Sequence, residues 1–366
     1  MIKVCHMTSV HSRQDTRIFV RQCRSLHKAG YDVTLIAEND RDEVIEGIKI
    51  CGVDKEKKRL ARMAGTTRQI YKRAVECDAD IYHFHDPELI PLGMYLKQKG
   101  KKVVYDVHED LPRDIYYKPW IPRHFRGPIS RLAETIEAWA AKRLDAVITS
   151  TPYIAERFRG LTDLAVDIKN YPLLQEDIAP VEWNAKEENI SYISSIFIIE
   201  RAVREVIKAM ESVEAGLTLA GRLEESLRDK QLSELPGWEK VSYLGWVDRG
   251  QVVEIMKKSR AGLSLYYPTA TYLYAIPTKM FEYMMAGIPV IASNLPYETE
   301  IINKYRCGIC VDPYHPEQIA EAMNWVLNNP EQAEEMGRNG RYAIENEFNW
   351  ATEEKKLLAL YNELLR

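Results

Sequence analysis

The 366-residue sequence predicts an α/β protein of two doubly wound parallel-sheet domains that face each other across a cleft. Three observations lead there. Short β-rich runs alternate with amphipathic helical stretches, the pattern of a parallel sheet covered on both faces. The alternation breaks once, at the Pro-containing, aperiodic segment 168–183, and then starts again. The chain also exceeds what one hydrophobic core usually supports. The reading divides the chain into 1–170 and 171–349, with the amphipathic end 350–366 crossing back onto the first domain.

The elements follow in order. Residues 2–9 read as an apolar strand, 17–29 as a helix closed by Gly30, 32–37 and 48–53 as strands, and 60–74 as a basic helix. Runs 81–84 and 102–107 are strands that each end in a polar cluster. A long helix at 130–143, a strand at 146–149 and a helix from Pro152 complete the first series. The second series has strands at 190–194, 216–220, 241–244, 261–265 and 308–311. Helices at 202–212, 223–232 and 251–259 separate them, and helices at 316–328 and 330–347 close the series. Ligands in such sheets collect at the carboxyl ends of strands, so a cleft between two of them would combine both sets.

Composition narrows the function. A net charge of −4 gives no global pull toward nucleic acid, and 46% hydrophobic with 28% charged residues is ordinary for a globular protein. Six cysteines are scattered at 5, 23, 51, 77, 307 and 310, unlike a disulfide framework. Cys307 and Cys310 form a CxxC with no second pair for zinc, and read as packed thiols. The start MIKVCHMTSVHS enters a strand directly, and no stretch reaches the ~20 apolar residues of a membrane span. The expectation is a cytoplasmic protein.

The most informative segment is 276–302, IPTKMFEYMMAGIPVIASNLPYETEII, which reads as helix, Gly-Pro turn, buried strand and second helix. Pro277 and Thr278 suit a helix start, where the first N–H groups lack partners. A helix N-terminus with Lys279 beside it attracts a diphosphate. Glu282, one turn on, can accept from sugar hydroxyls while the lysine faces phosphate. An amphipathic helix with a surface ion pair would carry the same residues.

The segments SVHSRQDTRIF, AGYDVTLIA, DIYHFHDPELIPLG, VVYDVHEDLP, LDAVITSTP, IKNYPLL, YLGWVDR, PTKMFEYMMAGIPVIAS, CGICVDP and FNWATEEKKLLALY follow one another along the chain, and their order and spacing together carry a family resemblance. Along nearly its whole length the chain resembles the family-4 retaining glycosyltransferases, whose GT-B fold is two Rossmann-like domains. It is most similar to the subgroup that makes bacterial surface polysaccharides. The resemblance implies a nucleotide-sugar donor on the C-terminal domain, an acceptor mainly on the N-terminal one, and retention without a bound metal or other cofactor.

Through that resemblance Glu282 matches the second glutamate of a Glu-x7-Glu motif that binds the donor ribose. The first would fall at 274, where this chain has Tyr274, so donor sugar identity is less defined than nucleotide binding. Arg201, opening the helix after ISYISSIFIIE, aligns with a basic residue aimed at the donor diphosphate. Cations there stabilise the charge that develops on the leaving oxygen. A second basic residue usually precedes it; here Ser194-Ser195 stands in that turn, and Lys279 compensates. Thr278 opens the helix, and Arg222 is a further diphosphate candidate or a plain surface residue.

On the acceptor side, His108 ends a strand before Glu109, in a position that lies near the transferred sugar in the family. A neutral imidazole there bonds a hydroxyl or steers the acceptor, tuned by Glu109 or Asp110. His83 and His85 share a strand face and offer two zinc ligands with no third or fourth, so structural hydrogen bonding is the reading, with His85 and Asp86 rimming the cleft. The loop 9–16 has no glycine, which favours side-chain contacts by His11, Asp15 or Arg17, unless Arg17 pairs with Asp15 as a structural bridge. Asp78-Ala-Asp80 precedes its strand and is rejected as a metal site.

Two stretches point to an anionic membrane surface: 55–73, with eight basic residues and one acidic, and 116–131, YYKPWIPRHFRGPISR, where aromatics mix with lysine and arginines. The combined expectation is a retaining glycosyltransferase that moves a sugar from a UDP- or GDP-sugar to a hydroxyl of a lipid-linked glycan. It would make peripheral contact with the inner face of the cell membrane and no contact with nucleic acid. The alternatives are a nucleotide-sugar 2-epimerase of the same fold and a non-catalytic nucleotide-sugar-binding protein.

Overall fold

The fold is that of a computed structural model, which describes residues 1–54, 56, 65–118, 120–174, 178, 181–228 and 232–366. It divides into two compact units, Met1–Asn170 with Trp350–Arg366, and Tyr171–Asn349.

The first unit holds eight strands: β1 (Lys3–Ser12), β2 (Asp32–Glu38), β3 (Glu43–Ile45), β4 (Ile48–Val53), β5 (Ile81–Phe84), β6 (Lys102–Val107), β7 (Ala146–Thr149) and β8 (Ala165–Asp167). Their order across the sheet is β3-β4-β2-β1-β5-β6-β7-β8, parallel except for the antiparallel pair β3–β4. The chain runs outward on one side of β1 and then returns to the other, so the order reverses between β1 and β5. That reversal opens a crevice at the carboxyl ends of these two strands. Central strands are buried on both faces, so Val4, Cys5, His6 and Met7 are all buried, with Cys5 and Met7 in one core with Tyr82, Phe84, Val103 and Tyr105.

The expected α-helix over 17–29 differs in its winding. Thr16–Cys23 is π-helical, and only Arg24–Lys28 is α. The Asp15 carboxylate caps its start by accepting from the Arg17 and Ile18 amides at 2.8 and 2.9 Å. The i→i+5 winding brings residues five apart onto one side, and Arg17 and Gln22 both reach the carboxylate of Asp106 on β6. The wider turn serves that shared partner.

The helix Trp350–Leu364 packs on this unit. Trp350 Nε1 donates to Ser25 Oγ at 2.9 Å, the buried Glu353 accepts from the Lys169 amide, and Tyr361 is fully buried. The helix expected at 60–74 is described as Thr67–Cys77; residues 57–64 lie outside the described residues, as does part of the basic stretch 55–73.

The second unit holds β9 (Asn189–Phe197), β10 (Gly216–Leu223), β11 (Val241–Gly245), β12 (Ala261–Ser264), β13 (Val290–Ser293) and β14 (Gly308–Val311), in the order β11-β10-β9-β12-β13-β14. All pairs are parallel. The period of two is visible on β9, where Ile190 and Tyr192 join one apolar layer and Ile193 the other. Here the order reverses between β9 and β12. The helix expected at 223–232 is described as Glu225–Arg228, because β10 continues through Leu223; residues 229–231 lie outside the described residues. Cys307 is buried, Cys310 half-buried, and all six cysteines are free thiols.

Candidate active site

Each unit places a group of polar side chains at its own sheet reversal. In the first unit, Thr8 and Ser9 from β1 meet Asp86 just beyond β5. Asp86 Oδ2 accepts from Thr8 Oγ1 and from the Ser9 amide, both at 2.7 Å. His11 bridges two carboxylates, with Nδ1 at 3.2 Å from Asp15 and Nε2 at 3.7 Å from Asp86. Burial pushes the His11 pKa down, but the Asp15 hydrogen bond and the nearby Asp86 outweigh it and hold it above the ordinary value. Asp15 is held below the usual carboxylate range: burial would raise it, while His11 and the two capping amides lower it further.

Behind this rim lies a buried relay. His6 Nδ1 is 3.0 Å from His85 Nε2, and His85 Nδ1 is 3.1 Å from His108 Nε2. His83 Nδ1 is 2.9 Å from the Tyr361 hydroxyl. Burial drives the pKa of His6, His83 and His85 down, which favours the neutral imidazole, a form with one N–H and one lone pair. Asp106 anchors the group: Arg17 binds it through Nε and Nη2 at 2.9 and 2.7 Å, Gln22 donates at 2.8 Å, and His85 and His108 approach to 3.2 and 3.5 Å. Burial would raise the Asp106 pKa, but Arg17 and then His108 reverse that and hold it well below its ordinary value.

The structure thus gathers His11, Asp15, His85, Asp86 and His108. It moves Arg17 out of the contact role: the guanidinium is buried, bonded to Asp106, to the Ile168 carbonyl and to Asn170, and it does not pair with the Asp15 carboxylate through its side chain. Glu109 is exposed beside Asp114, whose carboxyl is pushed up to about 7 by burial and by that neighbour. His6 supplies the third histidine that the sequence reading did not find: ring nitrogens of His6, His83 and His85 lie within 4.8 Å of one another. His6 hydrogen-bonds to His85 and His83 to Tyr361, and His85, Asp106 and His108 form a second such group.

In the second unit the crevice between β9 and β12 is a pocket of about 170 Å³ lined by Arg201, Tyr266, Tyr272, Thr278, Leu295 and Glu298 among others. Arg201 donates through Nη1 to Ser194 Oγ at 2.6 Å and lies over the Tyr266 ring at 5.3 Å, while its buried Nε has no partner. The next residue, Ala202, takes the left-handed conformation (φ 47°), costly for a residue with a Cβ and a local strain of the kind that clusters at functional loops. Thr278 opens the helix Thr278–Met285, whose first N–H groups receive no side-chain cap from Pro277. One turn on, Glu282 is gripped by Lys279 Nζ at 2.6 Å and Arg249 Nη1 at 3.0 Å. Burial raises its pKa, but these two cations bring it below the ordinary value.

Arg201 and Thr278 therefore share one pocket, and Lys279 and Glu282 form an ion cluster on the same helix. Arg222 is exposed on β10 and is not among the pocket's described lining. Sequence reasoning missed Arg249, Glu298 and Asp106. Asp106 carried a signal, a charged residue inside the apolar strand KVVYDV, and Arg249 closes the segment YLGWVDR.

Residues 16–166 match the family model described as Glycosyltransferase Family 4, and residues 175–343 the model described as Glycosyl transferases group 1. The D-rhamnosyltransferase WbpZ of Pseudomonas aeruginosa is 25% identical over 279 residues, 74% of this chain and 70% of that protein. A glycogen synthase of Mycobacterium tuberculosis is 23% identical over 62% of this chain and 56% of its own length. Among solved structures, the sucrose-phosphate synthase of Thermosynechococcus elongatus superposes with a TM-score of 0.78 at 17% identity, covering 100% of this chain and 99% of that one. Anabaena Alr3699/HepE, solved with UDP and glucose, gives 0.72 at 14% identity over 99% of this chain and 100% of its own. WaaG, a glycosyltransferase involved in lipopolysaccharide biosynthesis, gives 0.71 at 15%, over 98% and 99%.

Proposed function

The chain is a glycosyltransferase of GT-B fold, and from that premise we propose that it transfers a sugar from a UDP- or GDP-sugar to a hydroxyl of a lipid-linked glycan, with retention at the anomeric carbon. The observation that carries the donor half is the Arg201 pocket: a cation with a free buried Nε, beside an uncapped helix start, at the sheet reversal of the second unit. That arrangement suits a diphosphate, because aligned N–H groups and a fixed cation need no reorganisation as charge develops on the leaving oxygen. Lys279 adds a second cation, and Glu282, oriented by Lys279 and Arg249, presents a carboxylate to the ribose hydroxyls.

The acceptor hydroxyl is met by His108 and His11, with Asp86 and Asp15 orienting them. Asp106, Arg17, His85 and His6 hold His108 in place from behind. No protein nucleophile is assigned: the departing phosphate oxygen takes the acceptor's proton on the same face of the sugar, and the transfer needs no metal. WbpZ, named a D-rhamnosyltransferase, and WaaG, named for lipopolysaccharide biosynthesis, support an acceptor in cell-surface polysaccharide assembly.

The helix Arg123–Ala141 supports a membrane-bound acceptor. Phe125, Ile129, Leu132, Ile136 and Trp139 recur at spacings of four and three, which puts them on one face, and each is at least 38% exposed. Tyr116, Tyr117 and Trp120 are exposed ahead of them, and Arg123, Arg126, Arg131, Lys142 and Arg143 flank the stripe. Aromatics and arginines around an outward apolar face match the interface of an anionic bilayer. No helix among the described residues is long and apolar enough to cross a membrane.

The test is incubation of the full chain with labelled UDP- and GDP-sugars, with and without undecaprenyl-diphosphate-linked glycans. Label appearing in the lipid fraction, dependent on Arg201, supports the proposal. Isomerised donor without acceptor would instead identify a 2-epimerase, and binding without turnover a sensor.

A further inference from the structure

Tyr361, on the terminal helix Trp350–Leu364, reaches into the buried histidine relay. Its hydroxyl lies 2.9 Å from His83 Nδ1 and 3.4 Å from His6 Nε2. From His6 the contacts continue to His85 (Nδ1 to Nε2, 3.0 Å) and from His85 to His108 (Nδ1 to Nε2, 3.1 Å). Both ends of the relay return to one carboxylate. Asp106 Oδ2 is 3.8 Å from His83 Nε2 and 3.5 Å from His108 Nε2, with His85 Nδ1 at 3.2 Å between them. His6, His83, His85, Asp106 and Tyr361 are buried, and His108 alone of the group is part exposed.

A neutral imidazole carries one N–H and one lone pair, a phenol one O–H, and a carboxylate only accepts. Each link takes one hydrogen, so the direction of one link sets the others. Tyr361 can accept from both neighbours only by leaving its own O–H unbonded in the core, which is costly. Two directions remain. With the hydrogens running from His83 toward His108, His83 Nε2 is a bare lone pair, buried without a hydrogen-bond partner and facing an anion. With the hydrogens running from His108 toward His83, that nitrogen turns an N–H to Asp106, and attraction replaces repulsion in a low-dielectric interior. The His85 Nδ1 lone pair then faces Asp106, and the His108 N–H, which approaches both, offsets that contact.

We infer that Tyr361 is a positioning residue for His108: its hydroxyl accepts from His6 and donates to His83, which fixes His108 as the Nε2–H tautomer and leaves the Nδ1 lone pair to accept from a substrate hydroxyl. The role in the reaction rests on the proposed glycosyl transfer; the hydrogen pattern does not. Burial favours the neutral form of the three inner imidazoles and holds the Tyr361 pKa well above its ordinary value, so the phenol keeps its hydrogen. Tyr361→Phe retains the ring, which packs edge-on against Tyr31, and removes only the oxygen. His6 Nε2–H then has no acceptor. The hydrogens of His6, His85 and His108 reverse, because an unpaired lone pair beside the phenylalanine is tolerated better than an unpaired N–H.

The test is long-range proton–nitrogen correlation NMR of the full chain, labelled with nitrogen-15 at histidine and held at about pH 8. Ring nitrogens with and without hydrogen are resolved there, and single histidine substitutions assign them. In the wild type, His6, His83, His85 and His108 should each carry hydrogen on Nε2. Hydrogen on Nδ1 of His6, His83 or His108 would overturn the inference. In Tyr361→Phe, His108 should gain hydrogen on Nδ1. With the donor that transfers in the labelled-sugar assay, kcat should fall about tenfold, the worth of one hydrogen bond, with KM within about twofold. His108 signals and a kcat that match wild type would remove Tyr361 from the positioning role. The spectra need no turnover, so they decide the relay even where sugar transfer itself fails. The wild-type spectrum also decides both Tyr361 contacts where the variant does not fold.

Discussion

Asp106 Oδ1 lies 2.7 Å from Arg17 Nη2, with side-chain exposures of 0% and 4%. The pair is the hub on which the end of β5, β6 and the π-wound segment converge, since Gln22, His85 and His108 also approach the same carboxylate. Arg17→Met should destabilise the first unit by about 3–5 kcal/mol, because it leaves a carboxylate buried without its counter-charge. Adding Asp106→Leu should restore much of that loss, since both charges then disappear together. Hydrogen exchange of the β1 and β6 amides measures both variants. A single mutant within 1 kcal/mol of wild type would show that the pair is not the anchor.

Glu282 faces two cations, so its substitution separates binding from folding. Glu282→Gln keeps the shape and loses the charge that fixes Lys279 and Arg249. Losing a charged hydrogen-bond acceptor costs about 1.5–3 kcal/mol where a ligand depends on it. Affinity for UDP or GDP should therefore fall roughly tenfold or more by calorimetry, while thermal unfolding moves by a few degrees at most. Unchanged affinity would remove Glu282 from the ribose.

The sheets were legible because central parallel strands such as Val4–Met7 and 290–293 are buried on both faces and mostly apolar. β3 and β8, three residues each at the sheet edges, were not: EVI and AVD carry no run long enough to read. The π winding was equally silent, because it is imposed by a partner on β6 and not by local propensity. Helix-start chemistry exposed Thr278, Lys279 and Glu282, but their partner Arg249 stands 33 positions before Glu282, in a helix whose Asp248–Gln251 capping box explains its own start fully. Contacts built by tertiary packing leave no periodic trace.

Glu298 gives a pH signature. It is 1% exposed with Ser264 Oγ at 3.1 Å, and burial pushes its pKa well above the ordinary value against that weak hydrogen bond. The folded chain therefore holds a proton that the unfolded chain releases near pH 4.3. Where the folded state binds more protons, stability falls as pH rises, from the unfolded pKa up to the folded one. Glu298→Gln keeps a neutral side chain of the same shape. Its stability should match wild type at pH 4 and exceed it at pH 8. Parallel curves in pH-dependent denaturation would mean that Glu298 is already ionised in the fold.

The outward stripe on Arg123–Ala141 makes the final prediction. Leu132 is 59% exposed and lies between Ile129 and Ile136 on that face. It makes no buried contribution, so Leu132→Glu should change stability by less than about 0.5 kcal/mol. At a bilayer the same change replaces an inserting apolar group by an anion facing anionic lipid. Co-sedimentation with phosphatidylglycerol vesicles should drop several-fold, and Arg131→Gln should drop it further in low salt than in high, because exposed charges are screened within about 8 Å at physiological ionic strength. Activity on a water-soluble acceptor should stay unchanged in both variants, since neither residue belongs to the transfer site. Vesicle binding that survives Leu132→Glu and is indifferent to salt would assign the stripe to a protein partner instead.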